Sequence, residues 1–367
     1  VPEKPLSRRA LNRATLARQM LLRRENVKPA KAIARLVAMQ AQLARPPFIG
    51  LWSRLERFDR ESLTGAIERR EVVRGTMMRA TLHLMSREDF LSFRPVLQPM
   101  LSQAMRGVFR EKADSLNSAT LVAAARDYFD EAPRTFDALR GHLRARFPKF
   151  DERAMAYFVR LHLPLLQVPA AGALWAYPAA ADFTVAESWL GEKLDADDRP
   201  HVLALRYLAA FGPATFRDFQ TWSGLAVPPA TLEELRPRLR TFRDERGREL
   251  FDLPKAPRPD ESEEAPARFL PEFDSLLLGF AERSRVIADE HRPLIYTKNL
   301  LVPATFLVDG FAAGTWKIDR KKPLARLTLK PFGALTKRAK ADLVREGELL
   351  ARFAEADAPA VAVEFVK

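Results

Sequence analysis

The chain has 367 residues, with 60 Lys and Arg against 47 Asp and Glu and no Cys, a length that suits two to four compact units of roughly 100–150 residues each. A composition of 47% hydrophobic and 29% charged residues is that of a soluble globular protein. The lack of Cys excludes disulfides, thiolate metal sites and a cysteine nucleophile, and no run reaches the roughly 18 apolar residues that a membrane span needs. The positive charge is gathered in one place: residues 1–110 hold 22 Lys and Arg against 9 Asp and Glu, which is the whole net charge of +13, and the remainder carries 38 of each sign. Such an excess suits a protein that displaces counterions from a polyanion at one face. The N-terminus shows Pro and Arg without an apolar core, so no secretion signal is expected and a cytoplasmic, nucleoid-associated location is.

In chain order, Ser7 reads as the N-cap of a helix through about Arg23, with Leu11, Ala14, Leu16, Ala17, Met20 and Leu21 on its apolar face. Pro29 opens a second helix at its permitted first turn. Short helices near Phe48–Arg57 and Glu61–Arg69 follow, then two strands, Val72–Thr76 and Ala80–Met85. Helices closed by a small antiparallel hairpin make a winged helix-turn-helix pattern. It recurs as Leu121–Phe129, Phe136–Leu143 and Ala154–Leu163 with a hairpin of Leu165–Val168 and Leu174–Tyr177. A third copy runs through Val202–Ala210, Thr215–Trp222 and Leu232–Arg240, with Thr241–Leu253 as its wing. Tyr128 before Thr135-Phe136 and Tyr207 before Thr215-Phe216 mark a weak internal repeat.

The breaker run from Pro254 to Pro259, with Asp260 to Glu264 and Pro266 behind it, marks a boundary. Beyond it the strands Arg285–Ala288, Leu300–Val308, Phe311–Ile318, Leu324–Leu329 and Ala360–Val366, with one helix from Thr336 to Glu355, indicate a small barrel or curled sheet. Asp309-Gly310 is a tight hairpin turn. The expected class is therefore α+β, three tandem winged-helix modules followed by a β-barrel-like domain. The corresponding divisions are residues 1–86, 87–182, 183–266 and 267–367.

Gln40-Ala41-Gln42 is the segment from which chemistry is expected. Ile33, Leu36, Val37, Gln40 and Ala44 fall on one helical stripe, so Gln40 takes a place that an aliphatic residue would normally fill, and its amide needs partners. Gln42 lies about 200° further around an ideal helix. The two share a face only if the helix is ending, and Pro46-Pro47 supplies the ending.

Arg35-Leu36-Val37-Ala38-Met39-Gln40-Ala41-Gln42, Gly50-Leu51-Trp52-Ser53-Arg54-Leu55 and Arg79-Ala80-Thr81-Leu82-His83-Leu84 together resemble the YcaQ/AlkZ family of bacterial DNA glycosylases. Trp222-Ser223-Gly224-Leu225, Leu270-Pro271-Glu272-Phe273-Asp274, Gly310-Phe311 and Gly314-Thr315-Trp316 extend the likeness over nearly the whole chain. The resemblance implies tandem winged helices with a C-terminal β-barrel, and it makes Gln40 and Gln42 the catalytic pair. An amide at the second position is similar to the AlkZ branch, which is associated with self-resistance to azinomycin-type alkylating agents and unhooking of interstrand crosslinks.

The chemistry is coherent with neutral side chains. A purine alkylated at N7 or N3 is cationic and leaves without a general acid, so the protein has mainly to hold water at C1′ and stabilise an oxocarbenium ion. Hydrolysis without strand cleavage is expected. Arg45, Arg74 and Arg79 are candidate phosphate contacts, and His83 joins the DNA-facing set although a lone His on such a strand usually serves the fold. The turn of Asp309 and Gly310 with Phe311 is a candidate minor-groove wedge. Five scattered His and no Cys give no zinc spacing, and no phosphate loop, dinucleotide fingerprint or nucleophile elbow is present. No cofactor is expected, and the expected partner is double-stranded DNA bearing alkylated or crosslinked purines, bound by a monomer. The alternatives are a winged-helix regulator, which would need a means of dimerising, and a relative that binds lesions without cleaving them.

Overall fold

The computed structural model describes residues 4–109, 118–296, 301–321 and 323–366. Ser7 caps the first helix, Arg8–Arg18, by accepting from the Ala10 N–H, and the helix stops five residues short of the expected Arg23 because Met20 turns left-handed. The helices Pro29–Arg35, Pro46–Trp52 and Arg60–Glu68 follow. Pro46 and Pro47 start a helix rather than ending one.

The first sheet contains β1 (Met39–Gln40), β2 (Val72–Thr76), β3 (Leu82–Ser86), β4 (Leu165–Gln167) and β5 (Phe183–Val185), in the order β1-β3-β2-β4-β5. All its pairings are antiparallel. The hairpins read separately from the first and second helical groups thus share one sheet. Leu174–Tyr177 is not a strand; β4 finds its partner in Phe183–Val185, leaving residues 168–182 as a long connection. Two helices not expected from the residue pattern, Arg87–Val96 and Gln98–Val108, precede the helices Ser118–Glu131, Phe136–Arg146 and Glu152–His162.

In the next group, the helices His201–Phe211 and Phe216–Ser223 lie close to their expected limits, the latter held by a Thr215–Asp218 capping box. Its hairpin of β6 (Arg240–Arg243) and β7 (Glu249–Asp252) is a separate two-stranded sheet.

The last sheet is built from β8 (Arg268–Leu270), β9 (Thr305–Val308), β10 (Phe311–Lys321), β11 (Leu324–Pro331) and β12 (Ala360–Phe365), in the order β12-β11-β10-β9-β8. It is open, with β8 and β12 as edges, and forms no closed barrel among the described residues. β12 enters parallel to β11 after the helix Lys337–Ala354. That helix buries Leu343, Gly347, Leu350 and Ala351, the spacing of one apolar stripe, against Phe269, Phe306, Leu327 and Leu329. Residues 285–288 form turns rather than a strand, and the expected strand start at Leu300 lies outside the described residues.

Ile49, from the helix Pro46–Trp52, belongs to this C-terminal core, and a buried ion pair locks the same junction. The Arg54 Nη1 and Nη2 donate to the two Asp274 oxygens at 2.9 and 2.8 Å, both side chains being 1% exposed. The guanidinium also reaches the Gly50 carbonyl, and Asp274 caps the Leu276 N–H. Removing one member of such a pair strands a charge in the interior. Arg54→Ala is therefore expected to lower unfolding free energy by about 3–5 kcal/mol in urea titration. The double change Arg54→Met with Asp274→Leu is expected to cost less than the two single changes added.

Candidate active site

The Gln pair does not lie on a helix. The helix begun by Pro29 ends at Arg35, and Val37 adopts a left-handed φ of 66° while fully buried. For a β-branched residue this conformation is costly and persists only where packing dictates it. It reverses the chain, so that Met39 and Gln40 pair with Leu84 and His83 on β3, and the ladder continues through the Ala41 N–H to the Leu82 carbonyl. Gln40 thus lies within the strand and Gln42 in the bend that follows it, so neither amide is on a helix.

Each amide is oriented by a donor on its oxygen. The Gln40 Oε1 accepts from the Arg79 Nη2 at 2.9 Å, and the Gln42 Oε1 accepts from the Leu82 N–H at 2.8 Å. No hydrogen bond to either Nε2 occurs among the described residues, so both amides keep their N–H groups free. Gln40 is 8% exposed, and Gln42 is exposed. Gln40 lines a narrow crevice whose other wall is Pro271, Glu272, Phe273 and Ser275, with Arg54 and Asp274 contributing to the lining. The Ser275 hydroxyl donates to the Ala38 carbonyl at 3.3 Å and ties the two walls together.

Arg79 is half-buried, with left-handed φ values at Arg79 and Ala80 of 54° and 57°. Its Nη1 donates to the Trp222 carbonyl near the end of the helix Phe216–Ser223, where unsatisfied carbonyls favour a cation. Burial, with a smaller contribution from Arg283, lowers its pKa to about 10, so it remains charged at neutral pH. Arg74 is buried, with a pKa lowered to about 10 by burial. Its Nε and Nη2 hold the Ala41 carbonyl at 2.9 and 2.5 Å, and its guanidinium lies 5.0 Å from the Tyr177 ring. Both arginines thus turn donors onto the motif. Arg45 is half-buried beside Glu355 and 5.7 Å from the Trp175 ring, with Nε and Nη2 free of hydrogen bonds.

The Asp309–Gly310 turn is elsewhere. Asp309 forms ion pairs with Arg9 and Arg13, the Asn12 Nδ2 donates to the Gly310 carbonyl at 2.8 Å, and Arg8 lies over the Phe311 ring at 5.6 Å. A Cβ on Gly310 would meet Asn12 Oδ1 at 2.5 Å and Leu16 Cδ1 at 2.6 Å. The tip is packed onto the first helix, on a different part of the molecule from the Gln40 crevice.

Sequence reasoning missed Arg54, Asp274, Tyr177 and Trp175 as neighbours of the motif, and gave Trp222 and Glu272 no role. The signal available for Arg54, Trp222, Glu272 and Asp274 was their place in the motifs that carry the family resemblance.

His83 is buried opposite Gln40, with its Nδ1 3.0 Å from the Thr81 carbonyl. Burial first, and then the Arg79 cation, lowers its pKa from 6.5 to about 3. The folded protein keeps it neutral where the unfolded chain would protonate it, so its contribution to stability is complete above pH 6.5 and is lost as pH falls. Between pH 6.5 and 5 the parent protein is expected to lose about 2 kcal/mol that a His83→Gln variant retains, as read by urea unfolding at each pH. Parallel losses in the two proteins would remove this assignment.

A family model described as DNA glycosylase AlkZ-like matches residues 33–353. The chain is 26% identical over 346 residues to the interstrand DNA cross-link repair glycosylase of Streptomyces sahachiroi, covering 86% of this chain and 88% of that one. Its fold matches the solved structure of Streptomyces sahachiroi DNA glycosylase AlkZ with a TM-score of 0.79 at 22% identity, over 99% of this chain and 100% of the other. The family match takes in the Gln40 segment, its Arg79 brace and the Glu272 wall, and on that span the chain belongs to the AlkZ-like DNA glycosylase family.

Proposed function

We propose that this protein is a monofunctional DNA N-glycosylase for cationic alkylpurines, N7 or N3 adducts, and that interstrand DNA cross-links, named for the Streptomyces relative, are among its substrates. The observation that carries the reading is a pair of neutral amides, Gln40 and Gln42, each oriented by a dedicated donor, with Gln40 lining a crevice. A cationic base departs as a neutral molecule and needs no protonation. Water at C1′ and stabilisation of the sugar cation remain to be supplied.

A carbonyl oxygen has two acceptor positions. Arg79 takes one on Gln40, and the second holds a proton of the attacking water. The free N–H groups of both amides donate to sugar or phosphate oxygens. Arg74 braces the backbone of the pair, and Arg45, half-buried with its Nη2 3.7 Å from Glu355, contacts a phosphate.

We read the three helix–hairpin groups as winged-helix modules, divided near residues 86, 182 and 266, followed by the curled C-terminal sheet. The protein acts as a monomer on double-stranded DNA in the nucleoid and uses no nucleotide. No helix among the described residues is long and apolar enough to cross a membrane, and no group of three or more potential metal ligands occurs among them.

With duplex DNA containing N7-methylguanine, the protein is expected to generate alkali-labile abasic sites, and Gln40→Ala to slow single-turnover excision by about 10²–10³-fold while duplex affinity changes little. Specific duplex binding with no abasic product from the parent protein would leave the regulator reading instead.

A further inference from the structure

Glu272 is unlike the other charged groups of the crevice. It is half-buried, it lines the same cleft as Gln40, and among the described residues it has no hydrogen bond or ion pair. Asp274, the neighbouring carboxylate, is consumed by Arg54 and by the Leu276 N–H.

The backbone that presents Glu272 is held unusually firmly. Pro271 precedes it, and Phe273 follows in a left-handed conformation with φ of 59°. The Trp316 indole donates to the Leu270 carbonyl at 2.9 Å, and the Phe273 N–H donates to the Val302 carbonyl at 3.2 Å. A strained, stitched turn that aims an unpartnered carboxylate at a cleft has no evident stabilising purpose, and strain of this kind collects at functional sites.

We infer that Glu272 is a third catalytic residue, facing Gln40 across the crevice and accepting the proton of the attacking water. The inference rests on the glycosylase reading above. The bond between C1′ and the purine nitrogen breaks with its electron pair going to the cationic base, which leaves neutral. The water oxygen bonds to C1′, one of its protons passes to the Glu272 carboxylate and then to solvent, and charge balances. Before the water attacks, the carboxylate faces the developing positive charge on the sugar. That attraction is strong in a site closed to solvent. Gln40 then orients the water, and Glu272 supplies the basicity that two amides lack.

Glu272→Gln keeps shape and removes the charge. With N7-methylguanine in a duplex under single-turnover conditions, it is expected to lower the excision rate by about 10²–10³-fold. Duplex Kd should stay within about threefold and the thermal midpoint should be close to that of the parent, because no contact within the fold is lost. Glu272→Asp, with the carboxylate withdrawn by one methylene, should retain intermediate activity. Parent-like excision by Glu272→Gln would overturn the assignment while leaving the glycosylase reading intact. A rate loss matched by a fall in thermal midpoint in both variants would overturn it in favour of a role in the fold. Absence of excision by the parent protein would instead sink the reading on which the inference depends.

Discussion

The junction between the N-terminal helices and the C-terminal sheet turns on the ion pair of Arg54 with Asp274. Two charges removed almost wholly from water are tolerable only when they face each other and when their remaining hydrogen-bonding capacity is met. The first condition holds and the second is largely met: the pair is bidentate, Gly50 accepts from the guanidinium and the carboxylate caps a short helix, while the buried Arg54 Nε is left without a partner. Since Arg54 follows the helix Pro46–Trp52 and Asp274 follows Glu272, the pair sets the distance between the two walls of the crevice. The site is therefore assembled from segments more than 200 residues apart in the chain, and its precision depends on a contact that touches no substrate.

A second constraint shapes the motif itself. The left-handed turn at Val37 ends a helix and leads into an edge strand that carries Gln40, with Gln42 in the bend after it. Edge strands expose unpaired backbone groups. Here Gln42 completes the ladder by accepting from the Leu82 N–H, and Arg74 neutralises the Ala41 carbonyl. Each amide oxygen thereby has one donor in place before any substrate arrives, Arg79 on Gln40 and the Leu82 N–H on Gln42, which fixes the orientation of both side chains. Preorganisation of this kind removes the cost of arranging polar groups during reaction.

Much of the architecture was legible in the chain. The Ser7 cap, the helices His201–Phe211 and Phe216–Ser223 with the hairpin after them, and the helix beginning after Thr336 all follow from periodicity and capping residues. Gln40 was identified as anomalous because an amide stood on an apolar stripe. Its backbone conformation was not legible, since nothing local to Val37 favours a left-handed turn and only tertiary packing enforces it. Pro46-Pro47 was read as a stop when it is a start, because proline is permitted in a helical first turn. The basic excess of residues 1–110 suggested phosphate contacts. Yet Arg13, Arg18, Arg54, Arg74 and Arg94 are buried, and several pair with carboxylates from the C-terminal half. Counting charge along a chain does not separate cations that meet DNA from cations that join domains. The C-terminal strands were read largely in the right places, but whether a sheet closes depends on strand pairing that no local pattern records.

A buried ion pair sets two walls, an oriented amide lies on one of them and a free carboxylate on the other, and the substrates proposed for the site carry a bond already weakened by positive charge on the base. The most direct test of that account is a crystal structure of the protein bound to a duplex in which a cationic pyrrolidine replaces the lesion sugar, imitating the oxocarbenium ion. The pyrrolidine nitrogen is expected in the crevice, within hydrogen-bonding reach of Gln40 or Glu272. A duplex bound with that nitrogen on another face, remote from Gln40, would contradict it.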